Sequence, residues 1–129
     1  MKIITLLSAQ IYELLDKISR EEIPVIVEGR NDKKALRELG IEHIFTLNKP
    51  LYKIIEELPG KEVVILTDFD AKGKQLYKKI NHECSQRGFR VNNTLRLFLI
   101  RNTTLSHIEG FATFLRNLQE KEGKNKVCI

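Results

Sequence analysis

Asp68-Phe69-Asp70 closes the apolar run Val63-Val64-Ile65-Leu66-Thr67, and Glu28 closes another, Val25-Ile26-Val27. Positions two apart on extended backbone point the same way, so Asp68 and Asp70 can reach one ion while Phe69 turns into the core. Ionised carboxylates gathered at the ends of buried strands raise one another's pKa unless a cation stands between them. A hard divalent ion removes that conflict, and such ions keep several waters and commonly share phosphate oxygens. Glu28, Asp68 and Asp70 are therefore candidate ligands for Mg²⁺, with Mn²⁺ as the substitute.

Each acid also has a plainer reading. Asp-x-Asp at a strand end can cap the following helix, whose amino terminus favours negative charge. Glu28-Gly29 can simply make a turn. Asp32, four positions after Glu28, serves equally well as a helix cap or as a neighbour of the metal. The joint placement of the acids favours a site. Gly29 and Gly73 fall where strands turn into helices, which allows close backbone approach and leaves helix N–H groups open to a phosphate. Arg30, Lys33 and Lys34 follow the first acidic turn, and Lys72 and Lys74 the second. Any one of them alone is a solvated surface cation, but together they suit a phosphodiester that needs its charge balanced from several sides.

To hold these residues, the chain reads as alternating helices and strands. Leu7, Ile11, Leu14, Leu15 and Ile18 predict an amphipathic helix over residues 5–20. Residues 23–28 form a short strand buried on both faces. A helix capped by Asn31 or Asp32 follows, with Ala35, Leu36 and Leu39 inward and Gly40 as its stop. Residues 41–47 are a second strand, and Pro50 opens a helix to about Leu58 that Pro59-Gly60 breaks. Residues 62–67 form the clearest strand, and residues 74–87 a helix that Gly88 ends. Residues 89–91 are a strand or a connector. Alternation of Leu95, Leu97 and Leu99 predicts a fourth strand over 94–100. A last helix covers about 107–121, with a mobile lysine-rich end over 121–126.

This order predicts an α/β fold: a compact, Rossmann-like, mainly parallel sheet of about four strands with helices on both faces. In such sheets functional groups collect outside the carboxyl ends of strands. Glu28 meets Asp68 there if the first and third strands are neighbours.

With 129 residues the chain is one domain, its core over about 23–98. A hydrophobic share of 42% and a charged share of 30% are those of an ordinary soluble protein. No apolar run reaches the roughly 20 residues of a membrane span, and the apolar start soon meets Gln10, Glu13 and Asp16, unlike a leader peptide. Cys84 and Cys128 lack metal-ligand spacing and read as reduced cytoplasmic thiols. Three scattered histidines make no zinc site with them. The net charge of +5 permits a polyanionic partner.

Val27-Glu28-Gly29-x-x-Asp32 followed by Thr67-Asp68-x-Asp70-x-x-Gly73 resembles the Toprim domain, shared by topoisomerases, bacterial-type primases, nucleases including those that mature 5S ribosomal RNA, and recombination mediators. The likeness covers about residues 23–98, and the whole chain is similar to small stand-alone archaeal members. The resemblance implies a Rossmann-like sheet, Mg²⁺ and phosphodiester chemistry on RNA or DNA. It implies Glu28 as general acid/base or ligand, Asp68 and Asp70 as ligands, Asp32 beside the metal, and Gly29 and Gly73 as turn formers. Arg30, Lys33, Lys72, Gly73, Lys74 and Gly29 are then the expected phosphate contacts.

Departures from that family's larger members narrow the expectation. No tyrosine-bearing topoisomerase domain is present, and Tyr12, Tyr52 and Tyr77 sit on helices where packing explains them. No primase zinc module is present either. The expected activity is nuclease-like processing of nucleic acid; the alternative is a non-catalytic binding module within a repair or processing assembly, with a protein partner supplying further contacts. Ser106-His107-Ile108-Glu109-Gly110 is expected to cap the last helix through Ser106, or to bring Glu109 to the rim. A haloacid-dehalogenase phosphatase and a phospho-receiver domain fit less well. The first would carry Thr or Val where Lys72 stands, and the second would need paired acids after its first strand.

Overall fold

The computed structural model describes residues 6–126. The apolar leading residues 1–5, including the expected start of the first helix, and the Cys128 thiol lie outside the described residues.

Helix α1 (Leu7–Arg20) leads into β1 (Val25–Val27), α2 (Arg30–Glu38), β2 (Ile44–Thr46), α3 (Leu51–Glu57) and β3 (Glu62–Ile65). Then come α4 (Ala71–Gln86), β4 (Arg90–Val91), α5 (Thr94–Asn102), a 3₁₀ turn (Ile108–Gly110) and α6 (Phe111–Lys126). The strands pair in the order β2-β1-β3-β4, all parallel. Ile26 lies between Phe45 on one side and Ile65 on the other. The first and third strands are indeed neighbours.

Alternation along these strands divides the core between two faces. Val25, Val27, Val64 and Leu66 pack with Ile11, Leu15 and Ile18 of α1, Leu36 of α2, Leu95 and Leu99 of α5, and Phe111 and Leu115 of α6. Ile26, Val63 and Ile65 face the other way, onto Ile54 and Ile55 of α3 and Ile80 and Cys84 of α4. Both faces are covered by helices, which is why the strands read as unbroken apolar runs. Gly40 and Gly88, at φ +90° and +86°, end α2 and α4 as their positions in the sequence suggested. Among the described residues no helix is long and apolar enough to cross a membrane.

Several expectations are corrected. Residues 94–100 are not a strand: α5 occupies them, and the fourth strand is the two-residue β4 just before it. Leu95 and Leu99 are buried one helical turn apart, and both alternation and helical spacing place those two leucines on a common face. The last helix continues through Lys126, past its expected end near residue 121. Tyr52 is 49% exposed, so packing does not account for it, whereas Tyr12 and Tyr77 do join the core. Ser106 does not cap a helix with its side chain; His107 holds the cap position of the 3₁₀ turn.

Candidate metal centre

Three backbone segments converge beyond the carboxyl ends of β1 and β3. This is the point where the strand order turns from β2 on one side to β4 on the other. Glu28 leaves β1 half-buried, and its Oε2 accepts the Asp68 N–H at 2.8 Å. Asp68 in turn uses Oδ1 to accept the Ile108 N–H at 2.9 Å. The Phe69 N–H donates to the Ser106 carbonyl at 2.8 Å, so the segment before the 3₁₀ turn is bound to the β3–α4 connection at two places. Phe69 itself points into the core.

Asp70 caps α4, its Oδ1 accepting from the Gly73 N–H at 2.8 Å. The capping reading and the site reading are therefore compatible, because Oδ2 remains on the solvent side, 3.5 Å from His107 Nε2. Ligand atoms of Asp68, Asp70 and His107 lie within 4.8 Å of one another. The expected pair of aspartates is thus assembled, with a histidine that the sequence reading had set aside. Glu28 stands beside Asp68 through its main chain and lies outside that three-residue ligand group.

Asp32 occupies the first turn of α2 and is 8% exposed, with Oδ2 accepting the Gly29 N–H at 3.0 Å. Gly29, rather than Asn31 or Asp32, is the cap residue. Burial pushes the Asp32 carboxyl up from its ordinary value; the Gly29 bond opposes this, and the charges of Asp68, Glu28 and Glu109 add to it. Glu109 does reach this neighbourhood, although the segment carrying it follows a helix and not a strand.

The two glycines differ. A Cβ on Gly29 would meet nothing within 4 Å, and its extended backbone is open to any residue. On Gly73 a Cβ would stand 2.0 Å from the Asp68 carbonyl oxygen, so only glycine lets α4 approach so closely. Thr67 Oγ1 donates to the Gly73 carbonyl at 2.7 Å and closes that junction.

Arg96 is the residue that sequence reasoning missed. It projects from α5 and is 3% exposed, donating Nη1 to the Thr67 carbonyl at 2.7 Å and Nη2 to the Asp68 carbonyl at 3.2 Å. Its guanidinium lies against the rings of Tyr77 at 4.4 Å and Phe69 at 5.1 Å. Burial draws its pKa below the usual guanidinium value, while Tyr77, Glu28 and Asp68 act against that shift. The signal was obscured because residues 94–100 were read as a strand, on which Arg96 merely alternates with the leucines.

Among the described residues, no lysine or arginine comes within ion-pair distance of Glu28, Asp32, Asp68 or Asp70. Arg30 and Lys33 instead line a neighbouring groove of about 450 Å³ with Glu28, Gly29, Thr46, Leu47 and Asn48. Lys72 and Lys74 are exposed on the first turn of α4, and Lys34 lines a separate hollow with Glu38 and Glu109. The expected cations surround the acids without neutralising them. Chemically, the rim can accept a cation at its centre and an anion beside it.

No family model matches the chain. A UPF0292 protein of Methanocaldococcus jannaschii is 40% identical over 106 residues, covering 77% of this chain and 83% of its own length. A UPF0292 protein of Methanosarcina barkeri is 34% identical over 125 residues, covering 88% and 86%. A solved structure of a protein from Aquifex aeolicus has a TM-score of 0.71 at 34% identity, spanning 78% of this chain and 94% of that one. At these identities, over most of each relative's length, the chain belongs to the UPF0292 family.

Proposed function

We propose that the rim is a Toprim-type centre for Mg²⁺-dependent phosphodiester chemistry on RNA or DNA, and that the protein is a nuclease-like enzyme of the cytoplasm. The observation that carries this reading is the pair Asp68 and Asp70. Each gives Oδ1 to a backbone N–H and still offers a carboxylate oxygen within 4.8 Å of the other's, with no lysine or arginine paired to either among the described residues. Two hard oxygen donors so disposed fit Mg²⁺ or Mn²⁺. Held there, the ion would stabilise charge on the phosphate and favour ionisation of a water or hydroxyl nucleophile.

The chain's own residues divide the remaining work. Asp68 and Asp70 hold the ion, and Asp32 raises the negative potential behind them. Glu28 is oriented by the Asp68 N–H through Oε2, and Oε1 takes the proton of the attacking group. Arg30 and Lys33 receive the nucleic-acid backbone in the groove beside Glu28, which Gly29 also lines. Lys72 and Lys74, either side of Gly73, meet phosphates across the rim. The net charge of +5 favours approach of the polyanion.

One observation favours a second reading, a non-catalytic nucleic-acid-binding module working with a protein partner. Glu28 already has structural employment on the Asp68 backbone and lies outside the shared ligand group. Cleavage of structured RNA and of DNA by wild type and Glu28→Gln, with Mg²⁺ and with Mn²⁺, separates the two. The enzyme reading expects metal-dependent cutting that falls about a hundredfold or more in the variant. Metal-dependent binding without cutting by either protein would establish the module.

A further inference from the structure

The phosphodiester reading leaves the imidazole of the ligand group without a task. We propose that His107 is a third protein ligand and that its nitrogen makes the site selective for a divalent ion accepting mixed oxygen and nitrogen donors, with Mn²⁺ favoured over Mg²⁺. This rests on the metal reading above and extends it.

The first support is the position of the nitrogen. Nε2 lies 3.5 Å from Asp70 Oδ2, the oxygen that α4 does not use, and within 4.8 Å of an Asp68 carboxylate oxygen. The second is the other face of the ring. Nδ1 sits 2.9 Å from Ser106 Oγ, which can accept its proton and leave Nε2 with its lone pair toward the aspartates. Metal-bound histidines are commonly held by such a bond at the remote nitrogen. The third is that the backbone carrying the ring is fastened to the aspartate segment at Phe69–Ser106 and at Asp68–Ile108, both across a long sequence gap. The backbone that carries the ring is thus held in register with the aspartate segment by contacts independent of any ion.

Donor chemistry then sets the preference. Mg²⁺ seeks oxygen ligands and retains its waters, so an imidazole adds little for it. First-row transition ions accept imidazole, and Mn²⁺ also tolerates two carboxylates. Two carboxylates and one imidazole leave the other positions of a six-coordinate ion to water and phosphate oxygens. The competing account is a plain ion pair between protonated His107 and Asp70, which needs no metal.

The test is Mn²⁺ binding to the full chain by titration and by pulsed electron paramagnetic resonance, for wild type, His107→Ala and His107→Gln. The expected result is imidazole-nitrogen modulation in wild type that both variants lose. Mn²⁺ affinity should weaken about tenfold or more, while Mg²⁺ affinity, read by competition, changes less than about twofold. Saturable Mn²⁺ binding without nitrogen coupling, or with unchanged affinity in both variants, overturns the role of His107 and leaves the two-aspartate centre standing. Absence of saturable Mn²⁺ binding by wild type overturns both. Far-ultraviolet circular dichroism of the variants checks that the fold is retained, as expected for an exposed ring.

Discussion

At the amino-terminal end of the sheet, Glu62 of β3 faces Arg90 of β4 at 2.8 Å and accepts from Asn92 at 2.9 Å. At the carboxyl end, Glu28, Asp32, Asp68 and Asp70 crowd together without a paired lysine or arginine among the described residues. β3 contributes to both ends, beside β4 at the first and beside β1 at the second. Arg90 holds the Glu62 carboxyl below its ordinary range, whereas burial and like charges push Asp32 up. One end spends its charges on stability. The other carries them at a cost to stability, a pattern associated with sites selected for function.

The strongest way to break this contrast is through Arg96, whose buried guanidinium holds the rim from beneath. Replacing it by alanine leaves the Thr67 and Asp68 carbonyls without their donor and opens space between Phe69 and Tyr77. A loss of about 3 kcal/mol in urea unfolding is expected. Arg96→Lys should recover part of the stability, since an ammonium can reach one carbonyl but cannot reproduce the planar fork. A loss no larger than that of an exposed arginine would mean the rim keeps its shape unaided.

Asp68→Asn sharpens the contrast from the other side. Without metal, its melting temperature should equal or exceed that of wild type, because one crowded charge has gone while an amide oxygen can still accept from Ile108. With Mn²⁺ at a hundred times the wild-type dissociation constant, wild type should gain about 2.7 kcal/mol, and the variant little of it. Calorimetry with and without the ion measures both. A variant less stable than wild type in metal-free buffer would show that the acids of the rim support the fold.

The smallest effect belongs to Glu62→Gln. A carboxyl with a depressed folded-state pKa contributes stability above its unfolded value and loses it as pH falls through the folded one. The variant should therefore melt slightly below wild type at neutral pH, and the gap should close on acidification below the ordinary glutamate range. A gap that persists in acid would assign the effect to the Asn92 hydrogen bond and not to charge.

The sheet was legible where apolar runs were bounded by glycine, proline and acids, and there β1, β2 and β3 fall where expected. Residues 94–100 were ambiguous because Leu95, Leu97 and Leu99 satisfy a two-residue repeat, while Leu95 and Leu99 also satisfy a helical one. With β4 only two residues long, nothing local marked it as the edge of the sheet. At the site, Asp68 and Asp70 were readable from their spacing, and the meeting of Glu28 with Asp68 followed from placing β1 beside β3. His107 was not readable, since it lies on irregular backbone and reaches the aspartates only through long-range main-chain bonds. Arg96 was hidden by the misread helix: on a strand it falls opposite the leucines, whereas on α5 it reaches the Thr67 and Asp68 carbonyls beneath the rim.

The contact between α4 and the Asp68 carbonyl carries a last consequence. At position 73 a single methyl group would lever the helix outward, and Asp70, which caps its amino terminus, would swing away from its partner. The reach of the two carboxylates toward each other is thereby gauged by main chain pressed on main chain, with a hydrogen atom as the shim. Alterations in the surrounding apolar layers could soften the protein and still leave that gauge untouched, whereas adding one carbon here would reset it.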